Sequence, residues 1–139
     1  MLLLFGSDTG LIVNPIKADK TADFEALVSK LRVAMQQSSN PIRKQQVAGW
    51  KVLKATEAGP GGSVLYLFLL EPSVPNADYM MSRLLAELFP NDVAELWTKL
   101  RDTYAGQPNK LTLQTMPVVA ATTTPAPGAP AAPPPPKKP

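Results

Sequence analysis

The stretch that decides the fold is SVLYLFLLEP, residues 63–72, because seven consecutive apolar residues run from Val64 to Leu70. A strand covered on one face alternates apolar and polar residues, whereas this stretch is apolar on both faces. Glu71 and Pro72 mark its end. We therefore expect a central strand with two apolar faces, of which the helices of its own domain cover only one.

Three further segments have the pattern of strands. Residues 10–17 form a short β-branched run, and residues 49–57 and 110–116 alternate apolar with polar residues. The Gly-Pro-Gly-Gly sequence at 59–62 precedes a strand, not a helix, and lacks the Gly-Lys ending of a phosphate-binding loop. It is therefore interpreted as the connection of a hairpin between the second and third strands.

Apolar residues at helical spacing indicate three helices. The first opens at Thr21 and stops before Pro41, and residues 42–46 are interpreted as no more than a short turn. The second begins near Asn76 and breaks before Pro90, which suits the first position of the third helix. The predicted order of elements is therefore β-α-β-β-α-α-β.

This order predicts an α+β domain of ferredoxin-like type, a four-stranded antiparallel sheet with helices on one face. The first and third strands are central, and the second and fourth are edges, which agrees with their lysines. The predicted organisation is an N-terminal segment at 1–9, the ferredoxin-like domain at 10–118 and a disordered Pro/Ala-rich tail at 119–139.

The two ends of the chain leave alternatives open. Met1 to Phe5 is apolar and is interpreted as a frayed terminus or extra strand turn, or as the remnant of an export signal. Eight of the sixteen prolines lie in residues 125–139, where we expect polyproline-II character in a spacer or a partner-binding tail. The localisation, cytoplasmic or exported, stays open.

The two apolar faces of the third strand are assigned by their side chains. Leu65, Leu67 and Leu69 are uniformly aliphatic, which favours packing against the helices. The predicted open face consists of Val64, Tyr66, Phe68, Leu70, Ile12, Ile16, Trp50 and Val52. Its area is roughly 300–400 Å² from strand spacing and rise, which is near the largest apolar patch of an ordinary monomer.

A second copy of the chain is the predicted cover of that open face. Burying about seven such side chains contributes on the order of 10–20 kcal/mol per subunit, whereas association costs about 4–15 kcal/mol. The sequence therefore predicts a homodimer through the open sheet face. Cover by Met1–Phe5 or by the tail is the alternative, although the tail has no bulky side chains.

The composition excludes several chemistries. There is no Cys and no His, which excludes disulfides, thiolate catalysis, histidine-based triads and the commonest ligand of transition metals. Outside the two lysines of the tail the chain has twelve basic and eleven acidic residues, which is no nucleic-acid footprint. No run reaches the roughly 18 apolar residues of a membrane span. We expect no cofactor, no metal, no nucleic acid and no membrane span.

Three quoted segments resemble a known superfamily. VNPIKADKTADFEALVSKL at 13–31, AGWKVLKA at 48–55 and the apolar third strand resemble the dimeric α/β-barrel superfamily of antibiotic-biosynthesis-monooxygenase type, over about residues 10–118. The chain also resembles a group of small uncharacterised bacterial proteins. The resemblance implies a pocket between helices and sheet or within the barrel. Some members are cofactor-independent oxygenases that use Asn, Trp and Tyr on an aromatic substrate.

The ligand-pocket candidates are Asn14, Trp50, Tyr66 and Phe68. In this hypothesis Asn14 is a polar anchor, Tyr66 a hydrogen-bonding group, and Trp50 and Phe68 stacking groups. The alternative is a dimer core of aromatic residues with Asn14 capping a strand before Pro15. No catalytic or metal-binding residue is predicted.

Three functions remain open from the sequence. The first is a non-enzymatic homodimer that binds a small apolar ligand or has an accessory role, which the missing catalytic residues favour. The second is a cofactor-independent monooxygenase acting on an aromatic substrate, and the third is an extracytoplasmic interaction protein that uses its Pro-rich tail. Tyr79, Met80 and Met81 are further candidates for a pocket, although such residues at helical spacing more often form core.

Overall fold

The computed structural model describes residues 3–114 and residue 116, and in them a four-stranded antiparallel sheet is combined with four helices. The predicted tail at 119–139 lies outside the described residues. The elements in chain order are β1 (Thr9–Ile16), α1 (Thr21–Gln36), α2 (Pro41–Ala48), β2 (Trp50–Ala58), β3 (Val64–Leu70), α3 (Met81–Leu88), α4 (Val93–Thr103) and β4 (Asn109–Leu113).

The strand order is β2-β3-β1-β4, and every neighbouring pair is antiparallel. The two strands with the longest apolar runs, β1 and β3, are therefore central, and β2 and β4 are edges, as the sequence predicts. At the centre of the sheet Asn14 lies opposite Tyr66, and Ile12 lies opposite Phe68. This register determines which side chains meet beneath the helices.

The segment predicted to be a short turn is a full helix, α2. Pro41 occupies its first turn, and the Asn40 side chain caps it by accepting a hydrogen bond of 3.0 Å from the Ile42 backbone N–H. The prediction was wrong because Pro41 served only as the stop signal of α1, whereas proline also suits a helix start. The third predicted helix likewise begins at Val93, not at Pro90.

The helices cover the opposite face of the sheet from the one predicted. Tyr66 and Phe68 are buried, and the ring centroid of Phe24 from α1 lies 4.9 Å and 6.1 Å from theirs. The alternate residues Leu65, Leu67 and Leu69 are only partly buried. The assignment of the aliphatic face to the helices was therefore wrong.

Side-chain size explains this arrangement of the faces. Each aromatic ring buries about 150–250 Å² and gains further from neighbouring rings. On the covered face the indole of Trp50 lies 5.1 Å from the Phe68 ring and 5.9 Å from the Tyr79 ring. The interior beneath the helices therefore takes the aromatic side chains, which have the largest area to bury, and the leucines of β3 at positions 65, 67 and 69 lie on the other face.

The first residues of the described chain belong to the core. Leu3 and Phe5 are buried, and the Phe5 ring meets the Tyr79 ring edge to face at 5.6 Å. The Leu3 N–H donates to an Asp78 carboxylate oxygen at 2.9 Å, and the Tyr79 N–H donates to the Leu3 carbonyl at 2.9 Å. This segment is therefore packed against the loop before α3 and is not frayed.

The side of the sheet that none of the described helices covers is aliphatic, and we call it the leucine face. Its centre is Leu67, which pairs with Val13 of β1 and Leu53 of β2. The side chains of Leu53 and Leu111 are 46% and 50% exposed. The leucine face consists of Leu11, Val13, Leu53, Leu65, Leu67, Leu69 and Leu111.

Candidate functional site

A cavity of about 420 Å³ lies between the covered face of the sheet, α3, α4 and the loop that follows α4. Ile12 and Phe68 form the sheet side of its wall, and Met81 and Leu100 contribute apolar side chains from the helices. Most of the wall is therefore apolar, and the polar groups are few enough to be described singly.

The loop after α4 makes room for this cavity because β4 pairs with β1 only as far as Val13. Pro15 has no N–H to offer a neighbouring strand, and its carbonyl accepts a hydrogen bond of 2.8 Å from the Ala105 N–H. The Lys17 N–H donates to the Thr103 carbonyl at 2.8 Å. These bonds hold the loop against the end of β1 and bring Tyr104 to the cavity wall.

Asn14 and Tyr104 form a hydrogen-bonded polar pair in the cavity wall. Asn14 is 1% exposed, and its Nδ2 donates to the Tyr66 carbonyl at 3.2 Å. The Tyr104 hydroxyl donates to Asn14 Oδ1 at 2.6 Å, and burial raises the pKa of Tyr104 far above its ordinary value. An amide nitrogen carries two hydrogens and a phenol oxygen has lone pairs. One Asn14 N–H and the Tyr104 oxygen therefore remain for a ligand.

The side of the cavity formed by α3 and α4 carries positive charge. Arg83 and Arg101 both line it, and Trp97 beside them is 40% exposed. The Arg101 guanidinium lies 6.0 Å from the centroid of the Trp97 ring, within the range of a cation–π contact. Arg83 Nε lies 3.3 Å from a carboxylate oxygen of Asp78. No Asp or Glu lines the cavity in the described part of the chain.

Two of the four predicted ligand-pocket residues, Asn14 and Phe68, line this cavity, and Tyr79 to Met81 line it as well. Trp50 does not line it, because its ring is buried behind Phe68 and Tyr79. The Trp50 Nε1 has no hydrogen-bond partner among the described residues. In this geometry Trp50 supports the cavity wall from behind and is not placed to stack on a ligand there.

Tyr66 lies in a separate groove of about 470 Å³ between α1 and β2. Its hydroxyl donates to the Glu25 carboxylate, and the Lys54 ammonium lies 3.2 Å from the same carboxylate. The bond from Tyr66, followed by that from Lys54, lowers the pKa of Glu25, while burial raises the pKa of Tyr66. These three groups are paired with one another, so the groove needs no ligand to explain them.

The sequence pattern does not predict four contributors to the cavity wall, Tyr104, Trp97, Arg83 and Arg101. Trp97 and Tyr104 have helical spacing and are typical of an apolar stripe, which conceals that both line a cavity. One signal was available: Asn14 lies in the middle of an apolar central strand, and a buried amide requires hydrogen-bond partners from elsewhere in the chain.

The part of the chain that the structure describes contains no group of three acidic, His or Cys residues placed to hold a metal ion. None of the helices in that part is long and apolar enough to cross a membrane. Comparisons with protein-family models, with curated proteins and with solved structures give no match to this chain.

Proposed function

We propose that the protein is a homodimer of ferredoxin-like subunits, similar to the dimeric α/β-barrel proteins, and that it binds a small, mainly apolar ligand without catalysis. The strand order β2-β3-β1-β4 with antiparallel neighbours supports this topology, with α1 and α2 in one crossover and α3 and α4 in the other. The observation that carries the binding function is the cavity of about 420 Å³ on the covered face.

The size and lining of this cavity favour a binding site. Ligand pockets measure about 300–1,000 Å³ and combine apolar walls with a few placed polar groups. Here the apolar walls surround the Asn14–Tyr104 pair, whose hydroxyl and amide are held by hydrogen bonds of 2.6 Å and 3.2 Å. Preformed polar groups of this kind orient a ligand without first losing side-chain entropy.

The same lining argues against catalysis in this cavity. General acid–base chemistry needs a group that exchanges a proton near the working pH. No carboxylate lines the cavity among the described residues, and the raised pKa of Tyr104 keeps its phenol neutral. The alternative monooxygenase would use Asn14, Trp50 and Tyr66, yet only Asn14 of these lines the cavity. An interaction role for the Pro-rich tail concerns residues outside the described range and stays a prediction.

The leucine face supports the homodimer. Seven aliphatic side chains from all four strands are contiguous on it, and apolar patches of this kind mark sites of association. Lys51 and Asn109 lie on the same face in the edge strands. An apolar centre with polar residues at its margin is the usual composition of an interface. A second copy presents the same surface, so two copies would bury both leucine faces at once.

The ligand-binding function is tested with N-phenyl-1-naphthylamine, a neutral apolar dye that becomes fluorescent in dry pockets. We expect saturable binding to the wild-type protein and at least about tenfold weaker binding after Ser82→Phe, because Ser82 lines the cavity and a ring there fills it. Ala86→Phe is the matched control, since Ala86 is an exposed residue one turn later in α3. Equal binding by the two variants would contradict the proposed cavity site.

A further inference from the structure

The charge on the cavity wall indicates which kind of ligand it takes. Arg83 and Arg101 are the only charged residues among its described lining, and both are cationic. A neutral apolar ligand would use neither of them. A purely apolar site also gains nothing from two guanidinium groups, because a cation beside a newly buried apolar surface loses hydration.

The two arginines differ in how far their charge is already compensated. Arg83 pairs with Asp78 at 3.3 Å. Arg101 forms no ion pair with any carboxylate of the described residues, and Trp97, one turn earlier in α4, is the residue whose ring its guanidinium contacts. The cavity therefore offers about one uncompensated positive charge, which Trp97 holds at its edge by a cation–π contact.

We propose that the ligand is an amphipathic monoanion, an apolar and preferably planar body that carries one carboxylate. The body would pack between Phe68 and Met81, and the carboxylate would pair with Arg101, assisted by Arg83. One uncompensated guanidinium matches one negative charge, and its fork of N–H groups fits a carboxylate. This inference rests on the proposed function of the same cavity.

The end of the cavity beside Asn14 and Tyr104 is its deep end, and its burial explains why the anion lies at the arginines instead. Asn14 is fully buried and Tyr104 is neutral, so an ion placed there would lose its hydration against uncharged partners only. Trp97 and Arg101 are exposed, so a carboxylate beside them keeps part of its water. The geometry therefore orients the ligand with its charged end outward at the arginines and its uncharged end inward, where Asn14 and Tyr104 offer hydrogen bonds to neutral groups only.

The experiment compares 2-naphthoate with 2-naphthylmethanol, which share one ring system and differ in charge, by titration calorimetry. We expect 2-naphthoate to bind the wild-type protein about tenfold more tightly. Arg101→Gln should remove this preference by weakening the binding of 2-naphthoate about tenfold. Arg83→Gln should reduce it less, because Asp78 already neutralises part of that charge. Lys99→Gln is the control, since it removes a cation from the exposed side of α4.

The outcomes separate this inference from the function it rests on. If both compounds bind equally to the wild type, the anion preference is wrong, and if Arg101→Gln behaves like Lys99→Gln, the assignment of the carboxylate to Arg101 is wrong. In both cases the cavity remains a binding site. If neither compound binds and the neutral dye does not bind, the proposed function itself fails. Added salt should weaken naphthoate binding and leave alcohol binding unchanged, because only the former depends on charge.

Discussion

The two faces of the sheet are both apolar, and they differ in the size and kind of their side chains. The covered face carries Trp50, Tyr66 and Phe68 together with the amide of Asn14, and these pack beneath the helices. The leucine face carries only aliphatic side chains at its centre. Hydrophobicity alone therefore indicates that both faces need to be buried. The size of the side chains indicates which face packs against the helices.

The largest expected effect is the loss of a ring from the covered face. Phe68→Ala removes a ring that is packed against Phe24 and Trp50, and it should lower the free energy of unfolding by about 3–5 kcal/mol. Leu111→Ala on the leucine face should lower it by less than about 1 kcal/mol, because that side chain is half exposed. Urea unfolding at concentrations where the subunit is monomeric measures both values.

Similar losses in the free energy of unfolding for these two variants would contradict the proposed difference between the two faces. They would mean that the leucine face is covered within a single subunit, by residues outside the described range. The proposed dimer would then lose its basis, while the cavity on the covered face would be unaffected.

The second effect concerns association. Leu53→Asp places a charge on the leucine face of both copies, and it should weaken self-association by more than about 100-fold, since a carboxylate without a partner is costly to bury. Sedimentation at several protein concentrations measures this change. A charge placed at Phe68 would not test this interface, because Phe68 lies in the core beneath the helices.

Ile42→Asp is the matched control for Leu53→Asp. Ile42 is 45% exposed, close to the 46% of Leu53, and it lies in the first turn of α2, where a carboxylate is favourable. It should leave association unchanged. A wild-type protein that is monomeric at all concentrations, or equal loss of association in both variants, would contradict the proposed interface.

The sequence predicts the sheet of this protein well because strands leave strong local signals. The apolar run of β3 and the alternation of β2 are both present where predicted, and the central and edge positions follow from them. The helix α2 was missed because one proline both ends α1 and starts α2. The covered face was assigned wrongly because uniform aliphatic character does not favour packing against helices over exposure to a partner, whereas the aromatic side chains of the other face have more area to bury.

The candidate site was predictable only in part for a related reason. Asn14 and Phe68 belong to one face of adjacent strands, which the sequence pattern contains. Arg101 in α4 and Tyr104 directly after it come from the other half of the chain, and only the crossover from β3 to β4 brings them to that face. A contact between residues 90 positions apart leaves no local signal, as the Asn14–Tyr104 hydrogen bond shows.

The smallest expected effect is a dependence on alkaline pH that originates on the covered face. Burial raises the pKa of Tyr104 in the folded protein, whereas in the unfolded chain it is about 10. The stability that this phenol contributes is therefore complete below about pH 10 and is lost as the pH rises further, by roughly 1.4 kcal/mol per pH unit. Unfolding by urea at about pH 9 and about pH 11 measures the decline.

Tyr104→Phe separates this contribution from the other groups that titrate in the same range. At neutral pH the variant should be less stable by about 1 kcal/mol, because Asn14 Oδ1 loses the hydrogen bond from the phenol. Between about pH 9 and pH 11 its stability should decline less than that of the wild type, so the two curves converge. Tyr66 and Tyr79, whose pKa values are also raised, are present in both proteins and cancel in the difference. Parallel curves would show that the Tyr104 phenol reaches solvent. The end of the cavity beside Asn14 and Tyr104 would then not be buried, and the proposed orientation of the ligand would be wrong.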